Sequence, residues 1–531
     1  MFKSFSCCVL VLQTLFLFAC MLPPYRWCWD AYIIPKWYAS ICVVLIAVIM
    51  LCLCPQSRNV SVWKKYLPIV AGEGIFIQTV VVIKEILQSP EIIKIGIKGT
   101  FDNPNVLAIT LCILLPFAID LSKFTFKESN KKNFFKKKYV IAVLTITLFL
   151  VSETNSRTGI IIIVLYMLIA IYRHKWRKKV YKFIISVGVF MMVVGISFVF
   201  KNDSSVGRMF VVLRSVELII QRPFCGYGTD GFLKEYMLNQ ALFFQLHPQS
   251  EYGYLADNIQ HPLNEFIRLW IDYGVVGPFI LLLLISLPLI VYRRNVNIVM
   301  VEVCLFVCCS LSYPLSYPLP VYTIIFLFFV TVVNLVNQTK KYVVNITCFM
   351  VVILLLWVCG LFYIDNLMSS AIYYSQRSKH NKSIEKYEKL CEYFNNNLVY
   401  AMYGLRYKFI LYNMSRELYT IGSMQRAKSI IVETERLFVD YDTRLLTADI
   451  DFQLKNYSKA IEAYKAAGYM CPVRFAPLEG LLNCYKMQRN YENAYYVARL
   501  IVLKKEKVKS ADVDIIKEKA RCFLISETSY N

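Results

Sequence analysis

Charge is scarce in this chain: Asp, Glu, Lys and Arg make up 18% of its 531 residues, against roughly 25% in an ordinary soluble domain. With 57% hydrophobic residues and a mean hydropathy of +0.49, that shortage excludes a plain soluble enzyme and predicts a polytopic membrane protein. Histidine is scarcer still, with four in the chain. Of the 18 cysteines many, such as Cys112, Cys304 and Cys308, fall inside apolar runs as small buried residues, and the outward Cys225, Cys391, Cys471, Cys484 and Cys522 show neither paired metal spacing nor a regular disulfide pattern. No metal and no cofactor is expected. No GxSxG elbow or phosphate-cradling glycine loop is present either.

Apolar runs near the ~20 residues needed to cross a bilayer recur down the chain. About eleven candidate spans fall over 5–22, 37–54, 66–83, 104–120, 139–152, 159–172, 183–200, 273–292, 297–312, 321–337 and 342–363. MFKSFSCCVLVLQTLFLFAC reads as an uncleaved first span, because Phe18 is bulky where a processing site wants a small residue. The net charge of +23 would suggest nucleic acid in a soluble protein, but the basic clusters sit in every second loop, as at Lys136 to Lys138 and Arg177 to Lys179. By the positive-inside rule those loops and the N-terminus are cytoplasmic, and everything after residue 364 is outside. The loop carrying His261 is then outside too, and no nucleic-acid partner is expected.

Residues 1–364 are therefore expected to form an all-α transmembrane bundle with a long outward loop at 201–272. Within that loop RMFVVLRSVELII has the spacing of a helix that lies on the membrane surface or packs over the bundle mouth. Residues 365–531 change to a charged, tyrosine-rich helical pattern, a separate soluble domain. NYSKAIEAYKAAGYMCP aligns with NYENAYYVARLIVLKKE so that Tyr457 maps onto Tyr491, Ala460 onto Ala494 and Ala463 onto Val497. Such a period resembles tetratricopeptide repeats and implies either a platform for a protein partner or a packed helical stalk.

Three segments could carry chemistry. SETNSRTG is an outward hairpin tip so short that Arg157 sits at the edge of the hydrocarbon, a costly place unless the side chain snorkels, pairs with Glu153 or binds an anion. Arg208 and Arg214, six positions apart on a helix, and Arg222 after them offer the forked donors that suit a phosphate or diphosphate; contact with anionic membrane lipids is the alternative. His261 stands in IQHPLNEFIRLWIDYGVVG beside Asn264, Glu265 and Arg268, spaced so that a helix would place several on one side. A neutral imidazole there could take a proton from a sugar hydroxyl, and ordinary packing is the bland alternative.

Taken together SRTG, GTFDNPNVLA, VGR with ELIIQRPFCGYGTDGF, and HPLNEFIRLWIDYGVVG resemble the O-antigen ligase and polymerase superfamily, in order as well as in wording. The resemblance implies a GT-C-like, metal-independent inverting glycosyltransferase at the outer face of the bacterial inner membrane. Its donor would be a glycan on undecaprenyl diphosphate. Arg157 and Arg208 match the family arginines that hold the diphosphate, His261 the histidine that activates the acceptor hydroxyl, and Asn264 the asparagine that orients it. Leu263 replaces a second histidine found in many relatives. Lipid A core, the growing glycan or a protein are the acceptors weighed, ligation to lipid A core being preferred. A non-catalytic glycolipid transporter or assembly scaffold is the reading from another class.

Overall fold

The computed structural model describes residues 2–25, 28, 30–53, 60–89, 91, 96–119, 131–173, 202–336 and 359–528. Helices and turns make up these residues, with no strand among them. They divide into two compact units. One is built from Met1–Phe200, Leu263–Phe266 and Pro278–Asp365, the other from Lys201–Pro262, Ile267–Gly277 and Asn366–Asn531.

The first unit contains α1 (Phe2–Cys20), α2 (Ile34–Leu53), α3 (Val60–Gln88), α4 (Pro104–Ile119), α5 (Lys131–Glu153) and α6 (Arg157–Arg173). From α4 the side chains of Val106 through Pro116 are all buried. A helix apolar on every side has to be surrounded, and α4 packs against α3, α5 and α6. Gly159 permits the close approach of α6: a Cβ there would lie 2.8 Å from that of Ala108. Large apolar side chains also point outward, with Phe76 67%, Ile141 62% and Ile290 64% exposed, as suits helices bathed in lipid rather than water.

By length and composition Tyr66–Gln88 is the helix among the described residues that can cross a membrane; shorter apolar helices include Pro104–Ile119, Val276–Val291 and Val296–Leu311. The span expected over 183–200 lies outside the described residues, as does most of 342–363.

The second unit begins with α7 (Asn202–Gln221) and α8 (Gly231–Leu246). Its C-terminal helices are α13 (His380–Phe394), α14 (Asn397–Thr420), α15 (Met424–Leu437), α16 (Tyr441–Gln453), α17 (Tyr457–Met470), α18 (Ala476–Met487), α19 (Tyr491–Leu503) and α20 (Ala511–Thr528). Between the two groups in chain order come α9 (Glu265–Tyr273), most of it in the second unit, and α10 (Val276–Val291), α11 (Val296–Leu311) and α12 (Pro318–Val336), which fall almost wholly in the first unit, where α11 packs on α4 and α6.

Residues 201–262 fold with the C-terminal helices. Val211, Leu218, Phe232, Tyr236 and Met237 share one apolar core with Ile271, Val439, Tyr441, Ala467 and Met470. Gln240 Nε2 donates to the Met470 carbonyl at 2.6 Å, and Arg474 pairs with Asp257 at 2.7 Å. Val211 and Leu218 of RMFVVLRSVELII are thus spent on α8 and the C-terminal helices, while Met209, Leu213, Val216 and Ile220 leave an exposed apolar stripe on the opposite side of the helix. Ala460 and Ala494 are fully buried at corresponding turns of α17 and α19, as are Ala467 and Ile501.

The helix expected to carry His261 and Asn264 begins only at Glu265. Pro262 disfavours a helical backbone at the residue before it, and Leu263 then takes a left-handed φ of 56°. His261 and Asn264 therefore flank a turn, and the helical face is left to Glu265, Arg268 and Asp272.

Candidate active site

In the first unit a polar cap forms from residues that interrupt an otherwise apolar sequence. Ser156 starts α6: its hydroxyl accepts from the Gly159 N–H at 3.2 Å, a helix cap, and donates to Asn105 Oδ1 at 2.5 Å. Arg157 becomes the first residue of α6. A cation at a helix N-terminus opposes the helix dipole, so the positive end of α6 and the guanidinium together favour an anion. Partial burial lowers the Arg157 pKa, though a guanidinium stays charged.

Asn105 Nδ2 continues to the Ser312 hydroxyl at 2.7 Å, Asn103 Nδ2 to the Tyr313 hydroxyl at 2.6 Å, and the Tyr317 hydroxyl to Asp102 Oδ1 at 2.6 Å. Asn264 Nδ2 donates to the Ser310 carbonyl at 2.9 Å, while buried Glu265 accepts from the Leu315 N–H at 3.0 Å. Asn264 thus anchors its turn to the end of α11. Asp102, Asn103, Asn105, Tyr313 and Tyr317 were given no role by sequence reasoning. Their signal was polar side chains among prolines, in GTFDNPN and SYPLSYP.

In the second unit His261 is half-buried. Burial pushes its imidazole down to about 4, Arg268 adds to the effect, and Asp230 opposes it. It is therefore a neutral imidazole at pH 7, able to accept a proton but less basic than a free one. Arg268 Nε lies 3.8 Å from Asp272 Oδ2, and Asp272 Oδ1 accepts from the Phe232 N–H at 3.1 Å. Burial raises Asp272 to about 6, against the pull of that hydrogen bond and of Arg268.

The glycines of PFCGYGTDG make this arrangement possible. Gly226 has a φ of 65°, and a Cβ on it would come 2.6 Å from the carbonyl oxygens of Ile271 and Asp272. That contact lets the Tyr227 and Gly228 N–H groups bond those two carbonyls, at 2.8 and 2.9 Å.

The other arginines differ in what surrounds them. Arg208 is exposed on α7. Arg214, six positions on and hence on a different face, is paired to Glu217 at 2.7 Å with its guanidinium 4.3 Å from the Phe243 ring centre. Arg222 lies 4.8 Å over Tyr227. Arg157 and Asn264 belong to the first unit; Arg208, Arg214, Arg222 and His261 belong to the second.

Residues 141–282 match the family model described as O-Antigen ligase. No curated protein and no solved structure matches the chain. The matched segment contains Arg157, Arg208, Arg214, Arg222, His261 and Asn264 together.

Proposed function

We propose that this chain, which carries an O-antigen ligase domain over residues 141–282, is a membrane glycosyltransferase that moves a glycan from undecaprenyl diphosphate to an acceptor. The acceptor hydroxyl oxygen bonds to the anomeric carbon as the bond from that carbon to the diphosphate breaks, inverting the centre. His261 Nε2 or Nδ1 takes the hydroxyl proton. The diphosphate leaves with the electron pair, and its growing charge is met by Arg157 at the head of α6 and by Arg208. No metal ion is required in this scheme. Asn264, tied to the end of α11, sets the turn that carries the imidazole.

The observation that carries this reading is the match of residues 141–282 to the O-Antigen ligase model, a segment that holds His261 together with the arginines. The expected setting is the periplasmic face of the bacterial inner membrane, with about eleven spans, a cytoplasmic N-terminus and a periplasmic C-terminal domain. Lipid A core is the preferred acceptor; the growing glycan and a protein are the others. The regularly spaced buried alanines of α17 and α19 support tetratricopeptide-like packing, an architecture whose surface would suit a protein partner. Reconstitution with an undecaprenyl-diphosphate glycan and each acceptor in turn tests the proposal. Product on lipid A core identifies a ligase, a lengthened lipid-linked chain a polymerase, and glycosylated protein the third activity. No product with any acceptor contradicts it.

A further inference from the structure

We infer that the open side of α7 and α8 rests on the lipid surface, with the apolar stripe of α7 sunk into the boundary between headgroups and acyl chains. The inference holds for any reaction the protein carries out; only its consequence for the donor rests on the glycosyl-transfer reading.

Met209, Leu213, Val216 and Ile220 follow one another at steps of four, three and four, which places them on one side of α7. They point away from the core that Val211 and Leu218 enter, and all four are exposed, Ile220 by 71%. Phe224, 76% exposed, extends the stripe past the helix end. On α8, Leu238, Leu242 and Leu246 form a second exposed row. They stand next to Asn239, whose Nδ2 donates to Glu217 Oε2 of α7 at 3.3 Å. The two rows therefore border one seam, and the exposed apolar side chains there are contiguous rather than scattered, the mark of a surface that meets something other than water.

Lipid is the occupant because each end of α7 meets the chain where it turns apolar. Asn202, its first residue, follows by two positions the run 183–200 that is expected to span the bilayer, and two residues reach no further than about 7 Å. At the other end the Pro223 carbonyl accepts from the Val275 N–H at 3.0 Å and from the Trp270 indole at 2.9 Å. Val275 directly precedes the apolar helix α10, and both it and Val276 are exposed. A helix of 20 residues, about 30 Å long, is thus tied to an apolar segment at each end, and its own apolar side lies along the surface that both segments enter. Exposed Arg222, 4.8 Å over the Tyr227 ring, stands at the end of the stripe, where its guanidinium meets a headgroup phosphate. In the glycosyl-transfer reading the same seat holds Arg208 of α7 at headgroup level, where the diphosphate of a lipid-linked donor lies.

Photo-crosslinking of the full-length protein, reconstituted in vesicles of phosphatidylethanolamine and phosphatidylglycerol, tests the inference. The photoreactive residue p-benzoylphenylalanine takes the place of Leu213, Ile220 or Leu242, one at a time, and of exposed Glu518 on α20 as the control. Adducts are identified by mass spectrometry. Lipid adducts at the three stripe positions are expected to exceed that at Glu518 by about tenfold or more. Crosslinks from these positions to other residues of the protein or to a second copy, in place of lipid, would overturn the inference, and so would lipid labelling no higher than at Glu518. All three side chains are exposed, so each variant is expected to fold; its melting temperature in detergent checks this, and Met209 replaces any position that fails.

Discussion

Ser156 reaches Asn105 across 2.5 Å, hydroxyl to amide oxygen, while the same hydroxyl caps α6. That pair fixes where α6 starts and therefore where Arg157 sits. Ser156→Ala is expected to cost about 1 kcal/mol of stability and to raise the donor KM, because the arginine loses its fixed origin. Arg157→Lys keeps the charge but not the fork, and should lower kcat/KM by about ten- to a hundredfold. Transfer kinetics at varied donor concentration check both; a normal donor KM in Ser156→Ala would detach the cap from donor binding.

Arg208 and Arg214 should separate experimentally. Arg208 is exposed, so Arg208→Ala is expected to lower kcat/KM for the donor with little change in melting temperature. Arg214 is engaged by Glu217 and Phe243, so Arg214→Ala should lower the melting temperature, by about 1–2 kcal/mol of stability. Parallel melting curves and kinetics decide it. The reverse pattern would make Arg214 the donor contact.

His261 and Asp272 pull stability in opposite directions with pH. The His261 imidazole falls from 6.5 to about 4 on folding, so between those values the unfolded chain takes a proton the folded one refuses. Stability from this group falls as pH falls through that window. Asp272 rises from 3.8 to about 6, so the folded carboxyl keeps a proton the unfolded one has released, and stability falls as pH rises through that window. The two nearly cancel from about pH 4 to 6. Asp272→Asn, which can still accept from Phe232, should then lose stability on acidification from pH 6.5 to 4. His261→Asn should gain it. Melting temperatures across that range check the pair; one common pH slope in wild type and both variants would contradict the assignment.

What was legible in the sequence follows from what each signal depends on. Helical periodicity and apolar runs are local, so the all-helical character and the 34-position match of Tyr457 with Tyr491 could be read directly. The family segment was legible from its short motifs, of which SRTG, VGR and HPLNEF fall within residues 141–282. The turn at Leu263 was not, because a leucine gives no sign of a left-handed backbone. Nor was the union of residues 201–262 with the C-terminal helices. The Gln240 contact with Met470 spans 230 positions, and no periodicity within either segment encodes such a pairing.

The central claim is that His261 removes the acceptor proton during glycan transfer, and one measurement bears on it most directly. His261→Ala, reconstituted with the undecaprenyl-diphosphate glycan and the acceptor that wild type uses, is assayed for transfer alongside donor binding and melting temperature. The account predicts transfer reduced by a factor of about a hundred or more, with donor binding and melting temperature close to wild type. Transfer at the wild-type rate in that variant would contradict it.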